Sequence, residues 1–371
     1  MGIHGLNPII KKQNPNVYQT CHYSKFSGKS LAMDVSIFLH KYIHADRNNW
    51  FSSLVTFFIK MKKENIHIIA IFDGEHVPVE KLLEREHRKV SSNKSKDRLD
   101  SIKQLQQLIY TLYTTSHEGY APSVSEEHQL KVSIALKLKL KNNLQNEEEI
   151  DLSDGECCLR ELAKLEDKIL NQNARVDSKI VQSALELVQA LGIPHVVAYG
   201  EAEALCASLA IHGYTDGVLS RDTDTLVYGA PLFVNDFKGN EFSWTTLEVV
   251  LDSLQLTQKE FIDFCIMCGC DYNTNMKGVA GGNAYKFISE YGSIENIELN
   301  KDVDTTCLRY KRCREIFVPY SKEYLNGYTF SSSPPNKEKI TELFDNNNCF
   351  ITFIFIDKVW KTKHDNLEFI D

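Results

Sequence analysis

No run of apolar residues in the 371-residue chain approaches the roughly 18 that a membrane-crossing helix needs. The longest, such as Cys349 to Ile356, are short or broken. The opening MGIHGLNPIIKKQ lacks the apolar core of an export signal, and Leu6 stands where N-myristoylation requires Ser or Thr, so the expectation is a protein neither exported nor anchored. Excess positive charge is missing too: 42 Lys and Arg face 50 Asp and Glu, a formal net charge of −8. By itself this speaks against bulk attraction to nucleic acid, because phosphate binding is dominated by counterion release to Lys and Arg. Internal repeats are absent. Paired Cys/His couples are absent as well: the 10 Cys are scattered, and Cys265, Cys268 and Cys270 form a single C-x2-C-x-C cluster, which reads as buried helix positions of a reduced protein in preference to a zinc site. With 43% hydrophobic and 25% charged residues, the chain has the composition of a folded protein of two or three domains, or of one large α/β domain with insertions.

What the chain does have is a recurring pattern of short apolar runs that end in a carboxylate. Leu31-Ala32-Met33 leads into Asp34, Ile66 to Phe72 into Asp73-Gly74, Pro194 to Ala198 into Gly200-Glu201, and Gly217-Val218-Leu219 towards Asp222. Each run has the length and β-branched content of a strand buried on both faces, and helical patterns separate them, which predicts an α/β fold with a parallel sheet. Ligands of such sheets sit at the carboxyl ends of the strands, so the four acidic ends are expected in one crevice. A long excursion from about 80 to 190 interrupts the pattern. Its start, 81–98, carries seven Lys and Arg against three acids and begins as a helix; 147–156 carries six acids and no base and reads as a solvated loop. After 240 the chain is expected to be helical, with Thr257 capping FIDFCIMCGC and a Gly-rich turn at 277–282. Ser331 to Pro335 breaks the chain before a last helix and a short apolar, strand-like segment.

Seven acids stand out: Asp34, Asp73, Glu201, Glu203, Asp222, Asp224 and Asp271. Each alone has a simpler reading, since Asp at a strand-to-helix junction is commonly an N-cap and Glu in a first helical turn is favoured by the dipole. Jointly they put many like charges in one crevice, which is tolerated when cations neutralise them. Oxygen donors without His or Cys select Mg²⁺ or Mn²⁺ over zinc. Seven carboxylates are too many for one Mg²⁺; two ions about 4 Å apart would bind a scissile phosphate, acidify an attacking water and stabilise the leaving oxygen, as phosphodiester hydrolysis requires. A second reading stays open. Asp222-Thr223-Asp224-Thr225 after a strand matches the D-x-D-x-T opening of haloacid-dehalogenase-type phosphatases, whose first Asp is a covalent nucleophile; Ser220-Arg221 before it and the other acids left unused count against it. An EF-hand is excluded because its sixth loop position would be Val227 in place of Gly.

Taken in order, these blocks resemble the flap endonuclease, or XPG-type, family of structure-specific 5′ nucleases. Met1-Gly2-Ile3-His4-Gly5-Leu6 is similar to the family's opening, and Leu31-Ala32-Met33-Asp34-Val35-Ser36, Ile71-Phe72-Asp73-Gly74 and Gly192-Ile193-Pro194 with Gly200-Glu201-Ala202-Glu203-Ala204 match its first three ligand blocks. Arg221-Asp222-Thr223-Asp224 and Gly269-Cys270-Asp271-Tyr272 match the last two, and similarity covers residues 1 to about 90 and 177 to about 295. The resemblance implies a PIN-like parallel sheet flanked by helices, with a helical arch or insertion and a helix-two-turn-helix-type C-terminal region. The corresponding divisions are an N-terminal nuclease region at 1–90, an arch with a divergent insertion at 91–176, an internal nuclease region at 177–240, a helical DNA-binding region at 241–330 and an extension at 331–371. It also implies that Asp34, Asp73, Glu201 and Glu203 hold one Mg²⁺ and Asp222, Asp224 and Asp271 a second, with some sharing and with Mn²⁺ able to substitute. Lys81 and Arg88, about two helical turns apart, would contact the scissile phosphate, and Gly2, His40, Arg47, Lys277 and Gly278 would contact DNA.

The chain departs from the family in three places. His40 stands where an aromatic residue stacks on a nucleotide, with Tyr42 nearby. Gly278-Val279-Ala280-Gly281-Gly282-Asn283-Ala284 lacks the second Gly, the Pro and the basic residue of the duplex-binding turn; the basic run Arg309 to Arg314 either supplies missing charge or is a solvated helix end. The C-terminus shows no sliding-clamp peptide and no Lys-rich tail. The resemblance implies a monomeric, Mg²⁺-dependent endonuclease or exonuclease acting on DNA flaps, nicks or junctions in replication, recombination or repair. It would work in the nucleus or, for a viral member, where viral DNA replicates. A non-catalytic junction-binding protein remains the alternative from a different class. The seven proposed ligands and the six acids of 147–156 exceed the whole acidic excess, so the net charge no longer argues against a nucleic-acid substrate.

Overall fold

The computed structural model describes residues 2–82, 97, 99–107, 109–110, 155–236, 239–301 and 303–361. The chain divides into two compact units, one of Met1–Tyr42, Asn48–Glu84 and Val176–Asp371, the other of Ile43–Arg47 and Arg85–Arg175. In the first, α1 (Leu6–Gln13) precedes β1 (Gln19–His22), β2 (Ser30–Asp34), α2 (Val35–Ala45, whose last three residues are assigned to the other unit), α3 (Trp50–Lys63) and β3 (His67–Phe72). Helix α4 (Gly155–Asn173) belongs to the second unit. The first then resumes with α5 (Ser178–Ala190), β4 (His195–Val197), α6 (Ala202–Ile211), β5 (Gly217–Leu219), α7 (Asp224–Val227), β6 (Leu232–Asp236) and β7 (Glu241–Thr246). Next come α8 (Leu247–Leu254), α9 (Gln258–Cys268) and α10 (Gly281–Tyr291), with further helices up to Trp360.

The seven strands form one sheet in the order β1-β7-β6-β5-β2-β3-β4. From β6 to β4 every pairing is parallel, so β2, β3, β4 and β5, the four runs read as buried strands, end on the same edge. Ala32, Ile69, Ile71 and Val218 share one core with α6. Their strand neighbours Leu31, Met33, Ile68 and Ala70, which alternation points to the other face, are buried as well. Helix α6 can lie directly on this sheet because its sequence AEALCASLAI is mostly small; Ala202 through Ala210 are all buried.

The expectation of helix throughout after 240 is corrected, since β7 pairs antiparallel with β6 and β1. Its alternating EFSWTT presents buried Phe242 and Thr245 between more exposed neighbours, and β1 (QTCH) is a largely exposed edge; neither carries the continuous apolar run that marks a strand buried on both faces. The strand-like reading of Cys349 to Ile356 is likewise corrected, because Phe353–Trp360 is a helix. Its apolar residues bury Ile356 and Val359, three apart, which is helical spacing.

Thr257 caps α9 as expected and forms a capping box with Glu260. Cys265 and Cys268 are buried in that helix, with Cys270 buried just beyond it. In the second unit, Ile102, Ile109, Leu162, Leu165 and Ile169 form a separate apolar cluster. Residues 147–154 of the acidic run, 83–96 and 98 of the basic start, and 91–96, 98, 108 and 111–154 of the arch and insertion expected at 91–176 lie outside the described residues.

Candidate active site

The acids lie at or just beyond the carboxyl edge of the sheet, and local hydrogen bonds hold Asp34, Asp73 and Asp222 there. Asp34 ends β2, and its Oδ1 accepts the Ile37 amide at 3.3 Å, capping α2. Asp73 follows β3; its Oδ1 accepts the amide of Ala202 at 3.0 Å, which holds it against the start of α6 beside Glu201 and Glu203. That junction is tight. Gly74 donates to the Gly200 carbonyl at 2.7 Å, and a Cβ on Gly74 would lie 1.9 Å from the Ala198 carbonyl oxygen. Beyond β5, the Asp222 amide donates to Ser220 Oγ and the Asp224 amide to Asp222 Oδ1, each at 3.0 Å, folding the two acids into one turn. Asp271 follows α9, which is ended by Gly269 at φ 99. Asp34 and Asp73 each accept a backbone amide at the start of a helix, which fixes the direction of their carboxylates.

The N-terminus is part of the same construction. Gly2, at φ 98, packs so closely that a Cβ would lie 2.5 Å from both Asp222 Oδ1 and Thr223 Oγ1. The Ile3 amide donates to Thr223 Oγ1 at 3.2 Å, and the His4 amide to the Gly269 carbonyl at 3.0 Å. The opening residues thus tie the Asp222 turn to the segment that carries Asp271. Gly2, expected at DNA, has this packing role in the fold.

Six of the seven acids are buried, Asp73 being half-buried. Burial pushes the Asp34 carboxyl up to about 8, reinforced by Asp73 and Asp222. Glu203 is raised well above the carboxylate range by burial and, against the opposing pull of Lys81, by Asp222, Glu201 and Asp34. Asp224 is raised by burial, Asp222 and Asp271. These mutual influences link all seven acids in one electrostatic neighbourhood. Lys81 lies within it, its Nζ 2.8 Å from Glu201 Oε1 and 3.3 Å from Glu203 Oε2. Burial disfavours that ammonium, but Glu203 and Glu201 outweigh the cost and hold its pKa well above the usual lysine value.

The donor set fits a hard divalent cation. It is all oxygen, and Asp224 Oδ1 is a buried atom with no hydrogen-bond partner. Among the described residues no group of three His, Cys, Asp or Glu side chains is already arranged to hold a metal ion.

Two tyrosines complete the site and were not singled out from the sequence. The Tyr272 hydroxyl donates to Glu201 Oε2, and Tyr228 and Tyr272 hydroxyls lie 3.3 Å apart. Both rings are buried, with Phe317 edge-on to each at 5.2 and 5.4 Å. Burial raises both phenols well above 10, so they remain protonated donors. Tyr272 was within reach of sequence reasoning because it follows Asp271 directly; Tyr228 carried no signal.

The remaining candidates are dispersed. Arg88 lies outside the described residues. His40 is half-buried on α2, where the Tyr42 ring packs near Phe38 and Phe57 at 6.3 and 6.5 Å. Arg47 belongs to the second unit, where its guanidinium donates to Asn171 at 3.0 Å and Asp167 at 3.2 Å. Lys277 and Gly278 form an exposed turn before α10, with Gly278 at φ 78. Within the basic run, Arg314 makes a forked contact with Asp263 and Glu295, and Arg312 pairs with Glu80 and Glu315, so these two cations are committed internally.

The XPG N-terminal domain matches residues 1–96 and the XPG I-region residues 192–271. A RAD2-like endonuclease of Invertebrate iridescent virus 3 is 30% identical over 357 residues, covering 90% of each chain. Flap endonuclease 1 of Lodderomyces elongisporus is 27% identical over 345 residues, 86% of this chain and 75% of that one. The catalytic core of Rad2 in complex with DNA substrate superposes with a TM-score of 0.61 over 97% of this chain and 99% of that one, at 16% identity, and so shares the fold. The chain belongs to the XPG-type, RAD2-like family of flap endonucleases.

Proposed function

We propose that the protein is a divalent-metal-dependent, structure-specific 5′ nuclease that hydrolyses DNA phosphodiesters at flaps, nicks or junctions. The observation that carries this is the gathering of Asp34, Asp73, Glu201, Glu203, Asp222, Asp224 and Asp271 at one sheet edge, mostly buried and with strongly raised carboxyls among them. So much unbalanced acidity is expensive to fold unless the site is built to receive cations. Asp34, Asp73, Glu201 and Glu203 would hold one Mg²⁺ and Asp222, Asp224 and Asp271 the other; Mn²⁺ suits the same oxygens. When bound, the pair supplies an acidified water and charge stabilisation at the leaving oxygen.

The chain's own groups do the positioning. Lys81, already inside the cluster, carries the positive charge nearest Glu201 and Glu203 and can turn to a phosphate oxygen of the substrate. Asp73 and Asp34 keep their carboxylates aimed by capping helices. Gly2, without a side chain, lets the N-terminal segment pack directly against Asp222 and Thr223. A phosphatase centred on Asp222 would leave the other buried acids without a purpose, and a binding-only protein would carry their cost without a return.

The test is cleavage of a 5′-labelled flap with and without Mg²⁺. Cutting near the junction is expected with the metal, and Asp222→Asn should abolish it while DNA binding persists. Undiminished cutting by that variant would overturn the metal assignment. A panel of flap, nick, bubble and four-way-junction substrates then ranks the preferred DNA structure.

A further inference from the structure

We propose that Tyr272, backed by Tyr228, is a positioning residue that fixes one Glu201 oxygen so that the carboxylate meets the metal in a single orientation. The inference rests on the two-metal nuclease reading and concerns residues that reading does not use.

The hydrogen-bond chain has a direction. A phenol has one proton, and that of Tyr272 goes to Glu201 Oε2. The 3.3 Å contact between the two hydroxyls must then be donated by Tyr228, giving Tyr228 to Tyr272 to Glu201. Each donation polarises the next, and a phenol that also accepts is the stronger donor to a carboxylate. Packing holds both donors in place: Tyr228 and Tyr272 are 3% and 2% exposed, and Phe317 lies against the two rings. The opposite oxygen, Glu201 Oε1, faces Lys81 at 2.8 Å. Glu201 is thus gripped from the protein interior on one oxygen and presents the other to the charged side of the site. Tyr272 also follows Asp271 directly, so one backbone segment carries an acid of the second proposed ion and the orienting partner of an acid of the first. Partners that orient a ligand from behind contribute about 10–100-fold to metal affinity.

The experiment uses the full chain and two conservative variants, Tyr272→Phe and Tyr228→Phe, which keep the rings and remove only the hydroxyls. Mg²⁺ binding is measured by titration calorimetry on the protein alone, and cleavage of the flap substrate is measured against Mg²⁺ concentration. Tyr272→Phe is expected to weaken Mg²⁺ binding by about 10-fold and to raise the Mg²⁺ needed for half-maximal cutting by the same factor, with kcat at saturating Mg²⁺ nearly unchanged. Tyr228→Phe should shift both in the same direction by a smaller factor. In a Glu201→Gln background, Tyr272→Phe should have no further effect on Mg²⁺ binding, a non-additivity that a merely structural tyrosine would not produce. Wild-type Mg²⁺ affinity in Tyr272→Phe, or full additivity with Glu201→Gln, overturns the inference and leaves the nuclease reading standing. A wild-type protein that binds no Mg²⁺ and cuts no DNA overturns both.

Discussion

Asp73 and Ala202 are 129 positions apart in sequence and joined by a 3.0 Å hydrogen bond from the Ala202 amide to Asp73 Oδ1. The contact closes the whole excursion between β3 and α6 at its base, together with the bond from the Gly74 amide to the Gly200 carbonyl. Closing a longer loop adds only about 0.6 kcal/mol per doubling of its length. A long chain segment between Asp73 and Ala202 therefore adds little to the entropic cost of this contact.

This bond separates two roles of one carboxylate. Asp73→Asn keeps an oxygen for the Ala202 amide and should melt close to wild type while losing cleavage. Asp73→Ala loses the cap too and should be less stable by about 1 kcal/mol. Denaturant unfolding with parallel flap-cleavage assays checks the pair; equal activity in Asp73→Asn and wild type would show that the side chain only caps.

Gly2 and Gly5 provide a matched comparison. Both have positive φ, but a Cβ on Gly5 meets nothing within 4 Å, whereas one on Gly2 meets Asp222 and Thr223 at 2.5 Å. Gly5→Ala should cost about 1–2 kcal/mol of backbone strain and leave turnover near wild type. Gly2→Ala should displace the Asp222 turn and cut kcat by at least tenfold. Similar kcat values for the two variants would count against the N-terminus acting on Asp222.

Removing one charge from the cluster should stabilise the protein without added metal. Asp224 is buried, faces Asp222 and Asp271, and has an unpartnered oxygen. Asp224→Asn is expected to raise Tm in EDTA by about 2–4 °C while abolishing cleavage and reducing the Mg²⁺-induced rise in Tm. Scanning calorimetry with EDTA and with Mg²⁺ reads both; a lower Tm in EDTA would mean that repulsion is not the dominant strain there.

Arg314 sets an acid-sensitive element far in sequence from these carboxylates. Its hydrogen bonds hold Glu295 down at about 2 from an ordinary 4.5, and a carboxyl depressed on folding stabilises the protein above its unfolded pKa. That contribution is complete above about pH 4.5 and is lost as pH falls towards 2. Arg314→Ala should flatten the fall in stability across that window. It should also cost about 3 kcal/mol at neutral pH, because buried Asp263 is left without its partner. Urea melts at pH 7, 4.5 and 3 test both statements; an unchanged slope between pH 4.5 and 3 would remove Glu295 from the account.

Much of the site was legible because its chemistry is written locally. Asp34, Asp73, Glu201 and Asp222 each follow an apolar run, and a strand buried on both faces needs such a run whatever surrounds it. Strand β7 carries no such run because EFSWTT buries one face only, and a short apolar run such as Cys349 to Ile356 does not distinguish strand from helix. Arg312 and Arg314 looked like a free basic end; their partners Glu80, Asp263 and Glu295 come from other segments.

The sequence by itself determined the seven acids, their order and the parallel strands that bring Asp34, Asp73, Glu201 and Asp222 to one edge, because residue type and strand periodicity are local properties. Only the tertiary structure decided how they are held: Tyr272 on Glu201, Ala202 on Asp73, Gly2 against Asp222, Lys81 between two glutamates. Each of these is a contact between distant segments, set by packing and by the need of buried polar groups for a partner, and neither is encoded in any short stretch of the chain.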